Sequence, residues 1–382
     1  MPYIARILEN KILEYLKHFP VVGLTGPRQS GKSTLLKHLL KNKYEYVTFD
    51  RDDIRSLFYH DPNSFMNHFQ HRVIFDEVQK VPEIFSYIKV AVDNNRQHYG
   101  KYILTGSAQF SFVKQITESL AGRIGLLTLL PFQFSELPEK ERKKAIYKGS
   151  YPETVVNHYR INDDWYASYI DSYFEKDIRG LFNIGDLRDF RRFLDLLAAN
   201  ASQLLNMSRF ANDLGVAVST IKRWISVLEA SYIIFLLPPY YKNYGKRIIK
   251  SPKVYFYDTG LVTHLTGTSE KSLFEKGPLK GAIFENYIIS EIVKAKMHRK
   301  MNAEFYYYRT AKGDEVDFII DRKTHKEFFE IKCNATFTPR MLKQIDTIMT
   351  KKDKGHLLYT GKALPYQSNI CILNDQDFLL NL

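Results

Sequence analysis

The sequence predicts an α/β protein: a parallel sheet in its first part, a largely helical middle and a second α/β unit at its C-terminal end. Three observations carry this reading. Short apolar runs at 21–24, 46–49, 73–75 and 102–104 alternate with stretches of helical periodicity, the order of a parallel sheet with crossover helices. Residues 151–200 carry apolar side chains at helical spacing, and from 282 onward one apolar-periodic helix precedes strand-like runs at 305–308, 315–320 and 328–332. With 382 residues and about 100–200 residues per domain, the expected division is 1–150, 151–260 and 261–382.

Composition removes several classes. An apolar fraction of 45% and a charged fraction of 25% are those of a globular chain, not a collagen-like or disordered one. No apolar run reaches the roughly 18 residues of a membrane span, since the run at 233–237 ends in Pro238 and Pro239. Arg6, Glu9, Lys11 and Glu14 interrupt any signal-peptide core, so a cytoplasmic location and no membrane partner are expected. Cys333 and Cys371 supply neither a disulfide framework nor a zinc set. The net charge of +13 is spread along the chain, with local basic clusters at 140–148, 242–253 and 294–300. It suits a polyanionic partner, but a lysine-rich surface also arises from solubility alone.

In the first part, Ile4, Ile7, Leu8, Ile12, Leu13 and Leu16 recur at helical spacing. The strand at 21–24 then runs into Gly26-Pro27-Arg28-Gln29-Ser30-Gly31-Lys32-Ser33-Thr34 and the apolar helix positions Leu35, Leu36, Leu39 and Leu40. This is G-x-x-x-x-G-K-[ST] between a strand and a helix, the pattern of a phosphate-binding P-loop. Glycines let backbone N–H groups turn onto phosphate oxygens, and the helix N-terminus adds partial positive charge. Lys32 reaches the β- and γ-phosphates, and Ser33 offers its hydroxyl to Mg²⁺. Val73-Ile74-Phe75-Asp76-Glu77 supplies the second half of such a site: a buried strand, then Asp76 for the Mg²⁺ shell and Glu77 to polarise the attacking water. The next strand ends in Thr105-Gly106-Ser107, where Ser107 is expected to sense the γ-phosphate or orient the water. Asp50 ends the strand at 46–49. ATP and Mg²⁺ are the expected ligands.

Together with 119–123 and the stretch 126–137, these motifs resemble the bacterial and archaeal AAA-type ATPases that carry a C-terminal domain of unknown function. That resemblance implies an AAA-like sheet order and an arginine finger, for which Arg123 is the matching position. A guanidinium suits charge developing on a transferring phosphoryl group. A finger acting between subunits implies a homo-oligomer.

In the middle part, Tyr166, Tyr169, Ile170, Tyr173 and Phe174 form an aromatic stripe at helical spacing, read as core. Residues 207–214, the turn Gly215-Val216-Ala217 and residues 219–230 read as helix-turn-helix, with Ile221, Trp224, Ile225 and Leu228 inward. A strand, a Lys- and Tyr-rich loop at 240–247 and another strand follow, the order of a winged helix. Lys222, Arg223, Lys242, Lys246 and Arg247 are the expected phosphate contacts to DNA or RNA, giving salt-sensitive affinity.

In the last part, alternation puts Glu330 and Lys332 on one face of their strand. A two-residue turn at Lys323-Thr324 sets Asp317 opposite Glu330, an arrangement that a one-residue slip would destroy. With Glu285 on the preceding helix, the set is similar to the PD-(D/E)xK nuclease superfamily, although Val316 stands where that name has proline. The resemblance implies Asp317 and Glu330 as ligands of a second Mg²⁺ or Mn²⁺, Lys332 as the group that activates water and Glu285 as a supporting ligand. Gln344 is a further candidate, and Cys333 is expected to face the core. The leading expectation is a Mg²⁺-dependent ATPase coupled to a nucleic-acid-binding, nuclease-like domain. The alternative is an ATP-switched module that binds DNA or protein through an inactive nuclease-like fold.

Overall fold

Period-two alternation sorts the first sheet's side chains into two separate cores. Val21, Phe75, Tyr102 and Leu104 join one cluster with Phe58, Phe65, Phe85 and Ile88, while Val22, Leu24, Ile74 and Ile103 join another with Leu8, Ile12, Leu35 and Leu36. The computed structural model in which this is seen describes residues 3–69, 71–106, 118–173, 187–240, 251–310, 313–366 and 369–382. The strands are β1 (Val21–Thr25), β2 (Glu45–Thr48), β3 (Val73–Asp76), β4 (Tyr102–Thr105) and β5 (Ile124–Thr128), in the order β2-β3-β4-β1-β5. All are parallel. The carboxyl ends of β3, β4 and β1 therefore lie side by side, where open α/β sheets bind their ligands. The fifth strand, β5, had no counterpart in the sequence reading.

The chain divides into two compact units. One comprises Met1–Phe132, Ala230–Tyr232 and Met297–Arg299; the other comprises Gln133–Glu229, Ile233–Lys296 and Lys300–Leu382.

In the second unit, Tyr166, Tyr169 and Ile170 are buried in a cluster with Tyr151, Phe190, Phe193 and Trp224. Phe174 lies outside the described residues. The helix Met207–Leu214 begins with Asn206 accepting the Arg209 N–H at 3.0 Å and ends at Gly215 with φ +69°. The helix Val218–Ala230 buries Ile221, Trp224, Ile225 and Leu228, leaving Lys222 and Arg223 exposed. β6 (Ile234–Leu237) and β7 (Lys253–Phe256) pair antiparallel. Lys242, Lys246 and Arg247 fall between them, outside the described residues.

The second sheet is mixed. β8 (Glu304–Arg309), β9 (Glu315–Asp321) and β10 (Lys326–Lys332) are antiparallel neighbours, and β11 (Lys354–Tyr359) and β12 (Ile370–Asn374) continue parallel from β10. Between β9 and β10, Lys323 takes φ +68° and the Arg322 N–H donates to the His325 carbonyl at 3.1 Å. Lys326 pairs with Asp321 and Phe329 with Phe318. The pairing ends there, and just beyond it the Asp317 carboxylate accepts the Ile331 N–H at 2.8 Å. Among the described residues no helix is long and apolar enough to cross a membrane.

Candidate functional site

Gly26 leaves β1 with φ +140°, and a Cβ there would stand 2.1 Å from the Leu129 carbonyl oxygen, so no other residue fits. Gly31, with φ +92°, turns the chain into the helix Lys32–Leu39. Lys32 is buried, and its Nζ donates to the carbonyls of Gly26 at 3.0 Å and Pro27 at 2.8 Å. The loop's lysine is thus already folded over the loop's own backbone. Ser30 is buried, Arg28 and Ser33 are half-buried, and Gln29 and Thr34 are exposed.

Three hydroxyls converge on the buried Asp76. Ser33 Oγ donates to Oδ2 at 2.9 Å, and the hydroxyls of Tyr46 and Thr105 donate to the same carboxylate. Burial, then the bond to Asp76, holds the Tyr46 phenol well above its ordinary pKa, which keeps it a donor. Glu77 sits in the left-handed region at φ +56°, a conformation costing about 1–2 kcal/mol for a residue with a Cβ, and accepts from the Gln79 amide. Such strain clusters at functional sites. Asp50 pairs with Lys80 at 2.5 Å. Ser107 lies outside the described residues; Thr105 is the member of that strand end seen at the carboxylate.

Sequence reasoning missed Tyr46 and Arg6. Tyr46 reaches Asp76 because β2 lies beside β3, with Thr48 paired to Asp76. Arg6 is 5% exposed and donates to the carbonyls of Ser30 at 3.0 Å and Leu130 at 2.6 Å, bracing the loop from a segment whose only sequence signal was its helical periodicity.

Arg123 lies away from its own chain's P-loop. Its Nε and Nη2 each lie 2.8 Å from an oxygen of Asp93. This bonding, chiefly from Arg123, lowers the Asp93 carboxyl to about 2. Arg123 precedes Ile124, which pairs with Val21 at the amino end of the sheet, roughly 13 Å along β1 from the P-loop. It therefore does not serve its own chain's nucleotide site.

The second cluster lies in the other unit. Asn286 brackets the backbone of Phe256, accepting its N–H and donating to its carbonyl at 2.8 Å each, and so fixes β7 beside the helix Lys280–Arg299. That brings Lys253 Nζ to 3.0 Å and the Tyr255 hydroxyl to 2.6 Å from Glu285 Oε1. Lys253 also pairs with Glu315. On β9 and β10, Asp317 Oδ2 accepts the Ile331 N–H at 2.8 Å, and Lys332 Nζ lies 3.0 Å from Asp317 and 2.8 Å from Glu330. Burial and the Asp317 carboxylate beside it push Glu330 well above the usual carboxylate range. Burial also pushes Asp317 upward, but Lys332, Lys253 and the Ile331 N–H outweigh it and hold this group low. Burial, then Asp317, raises Glu285, although Lys253 opposes the shift. Burial opposes the charge on both lysines, yet the surrounding carboxylates hold their pKa values above the ordinary one.

Asp317, Glu330 and Lys332 thus come together. Among the described residues no three His, Cys, Asp or Glu side chains gather so as to hold a metal ion. Lysines pair with these carboxylates: Lys253 holds Glu285, and Lys332 sits between Asp317 and Glu330. Lys253 was unforeseen, being supplied by an element distant in sequence. Gln344 donates to Asp314 at 2.9 Å, and Cys333 is half-buried.

Comparison with known proteins fits this geometry. Residues 18–138 match the family described as an AAA domain, 139–272 match a domain of unknown function (DUF8612) and 280–374 match another (DUF4143). Two uncharacterized proteins, from Mycobacterium tuberculosis and Mycobacterium bovis, are each 30% identical over 325 residues, spanning 84% of this chain and 72% of theirs. A Haemophilus influenzae protein is 22% identical over 94% of this chain and 92% of its own. Among solved structures, a Walker-type ATPase of Pyrococcus abyssi aligns with 68% of this chain and 94% of its own, at 16% identity and a TM-score of 0.47. The Holliday junction branch migration motor RuvB of Thermotoga maritima covers 60% of this chain and 88% of its own, at 17% identity and a TM-score of 0.27. The chain belongs to the family of the two mycobacterial proteins, and its residues 18–138 form an AAA domain of the P-loop ATPase type.

Proposed function

We propose that the protein is a Mg²⁺-dependent ATPase that couples ATP binding and hydrolysis to a nucleic-acid-binding C-terminal part. The observation that carries the ATPase reading is the Ser33–Asp76 pair at 2.9 Å immediately behind the P-loop. A hydroxyl and a carboxylate are the hard oxygen donors that Mg²⁺ takes, and the loop's backbone N–H groups with Lys32 suit the phosphates. When bound, Mg²⁺ offsets the charge on the β- and γ-phosphate oxygens. The remaining work falls to the chain. Lys32 exchanges two carbonyl acceptors for phosphate oxygens. Tyr46 and Thr105 hold Asp76 against rotation, and Glu77 orients the attacking water. A finger role for Arg123 survives only across a subunit boundary of a homo-oligomer, after release from Asp93. Asp76→Asn is expected to lower phosphate release strongly with the fold retained; wild-type turnover in that variant would contradict the assignment.

For the C-terminal part, the helix pair followed by antiparallel β6 and β7 supports a winged-helix-like module, with Lys222 and Arg223 exposed on its second helix. The convergence of Asp317, Glu330 and Lys332 supports a nuclease-like arrangement. A second reading, ATP-switched binding of DNA or protein through an inactive cluster, is favoured by the lysines' hold on the carboxylates. Incubation with DNA and RNA in Mn²⁺ separates them. Cleavage by the wild type that Lys332→Ala abolishes supports a working nuclease. Salt-dependent binding without cleavage supports the switch, and absence of any binding contradicts a nucleic-acid partner.

A further inference from the structure

Ala230–Tyr232 belongs to the AAA unit, whereas the chain on either side, through Glu229 and from Ile233, belongs to the other. Within the AAA unit, Tyr232 is 8% exposed and holds a left-handed backbone at φ +56°. Its hydroxyl lies 2.8 Å from Thr25 Oγ1 and 3.2 Å from Thr128 Oγ1. These threonines are the paired last residues of β1 and β5, and both are buried. Thr25 directly precedes Gly26, the glycine backed against Leu129, and the Leu129 N–H donates to the Thr25 carbonyl at 2.8 Å. Tyr232 therefore ties the end of β1, from which the P-loop departs, to the end of its neighbour β5.

We propose that Tyr232 is a positioning residue that links the state of the P-loop to the end of the helix Val218–Ala230. The inference rests on the ATPase reading. Lys32 Nζ holds the Gly26 carbonyl at 3.0 Å, and phosphate competes for that ammonium. Nucleotide binding therefore releases the Gly26–Pro27 peptide group, one residue beyond Thr25, and the Thr25 hydroxyl carries the change to Tyr232. Two residues before Tyr232 stands Ala230, the last residue of the helix that bears Lys222 and Arg223. A buried hydroxyl bridge between strand ends serves this purpose because its geometry allows few alternatives once water is excluded.

The test uses the full chain and hydrogen–deuterium exchange of amides 218–230, with and without a non-hydrolysable ATP analogue and Mg²⁺, in wild type, Tyr232→Phe and Thr128→Val. Exchange should change on nucleotide binding in the wild type and stay unchanged in both variants. Their kcat should fall roughly five-fold, the equivalent of one buried hydrogen bond, with KM preserved. Variants that respond like the wild type would overturn the proposal, as would a wild-type helix indifferent to nucleotide. If Tyr232→Phe lowers the melting temperature enough to obscure the reading, Thr128→Val, which removes only one partner, carries the decision. Equal nucleotide binding and turnover by wild type and Lys32→Ala would instead contradict the ATPase reading, so the two failures are distinguishable.

Discussion

Lys332→Met tests whether the second cluster is an electrostatically balanced unit. The ammonium lies 3.0 Å from Asp317 and 2.8 Å from Glu330, two carboxylates that are 7% and 3% exposed. Removing one partner of a buried ion pair typically costs about 3–5 kcal/mol, because a charge is left without compensation. The Lys332 side chain is itself 38% exposed, so water takes over part of its role and about 2 kcal/mol is expected at pH 10, where both carboxylates are charged. The sign of the pH dependence follows from Glu330. Its folded pKa is raised, so its contribution to stability is complete below the unfolded value of about 4.3 and is lost as pH rises through the folded one. Lys332 opposes that rise, so without it Glu330 and Asp317 both hold their protons more tightly. With Glu330 raised to about 9, the penalty should therefore be smaller at pH 7 than at pH 10. Trp165 and Trp224 are the chain's two tryptophans, both within Gln133–Glu229, so tryptophan fluorescence in a urea titration reports the unit in question. A loss below about 0.5 kcal/mol, equal at the two pH values, would refute the reasoning.

The remaining predictions are more local. Gly26→Ala places a methyl group 2.1 Å from the Leu129 carbonyl at φ +140°; a loss of about 3 kcal/mol and failure to bind ATP should appear in thermal shift with added nucleotide. Lys253→Met leaves Glu285 and Glu315 without their buried cation and should cost about 3–5 kcal/mol in the same fluorescence titration. Arg123→Ala should raise Asp93 from about 2 toward its ordinary value in an NMR titration. Because the native carboxyl is depressed, the pair's contribution is present above the unfolded pKa and lost as pH falls through about 2. ATP binding by the chain should be unchanged.

Legibility in the sequence followed chemical locality. The P-loop was readable because glycine, lysine and serine at fixed offsets serve one short turn, and Asp317, Glu330 and Lys332 because two strands joined by a tight turn obey simple alternation. Partners from other elements were not readable. Tyr46 reaches Asp76 only because β2 lies at the edge beside β3, an order that no local pattern reveals. Lys253 reaches Glu285 only because Asn286 grips the backbone of Phe256. Arg123 was assigned by resemblance, as a finger acting between subunits, and no local pattern reveals that the strand order carries the position before β5 to the amino end of the sheet. Counting carboxylates along the sequence likewise says nothing of Lys253, which folds against Glu285.

Mg²⁺-dependent phosphate release from ATP, compared between the wild type and Lys32→Ala, tests the central claim most directly. Turnover by the wild type that disappears in the variant, with the melting temperature retained, is the predicted result. Equal turnover in both would contradict it.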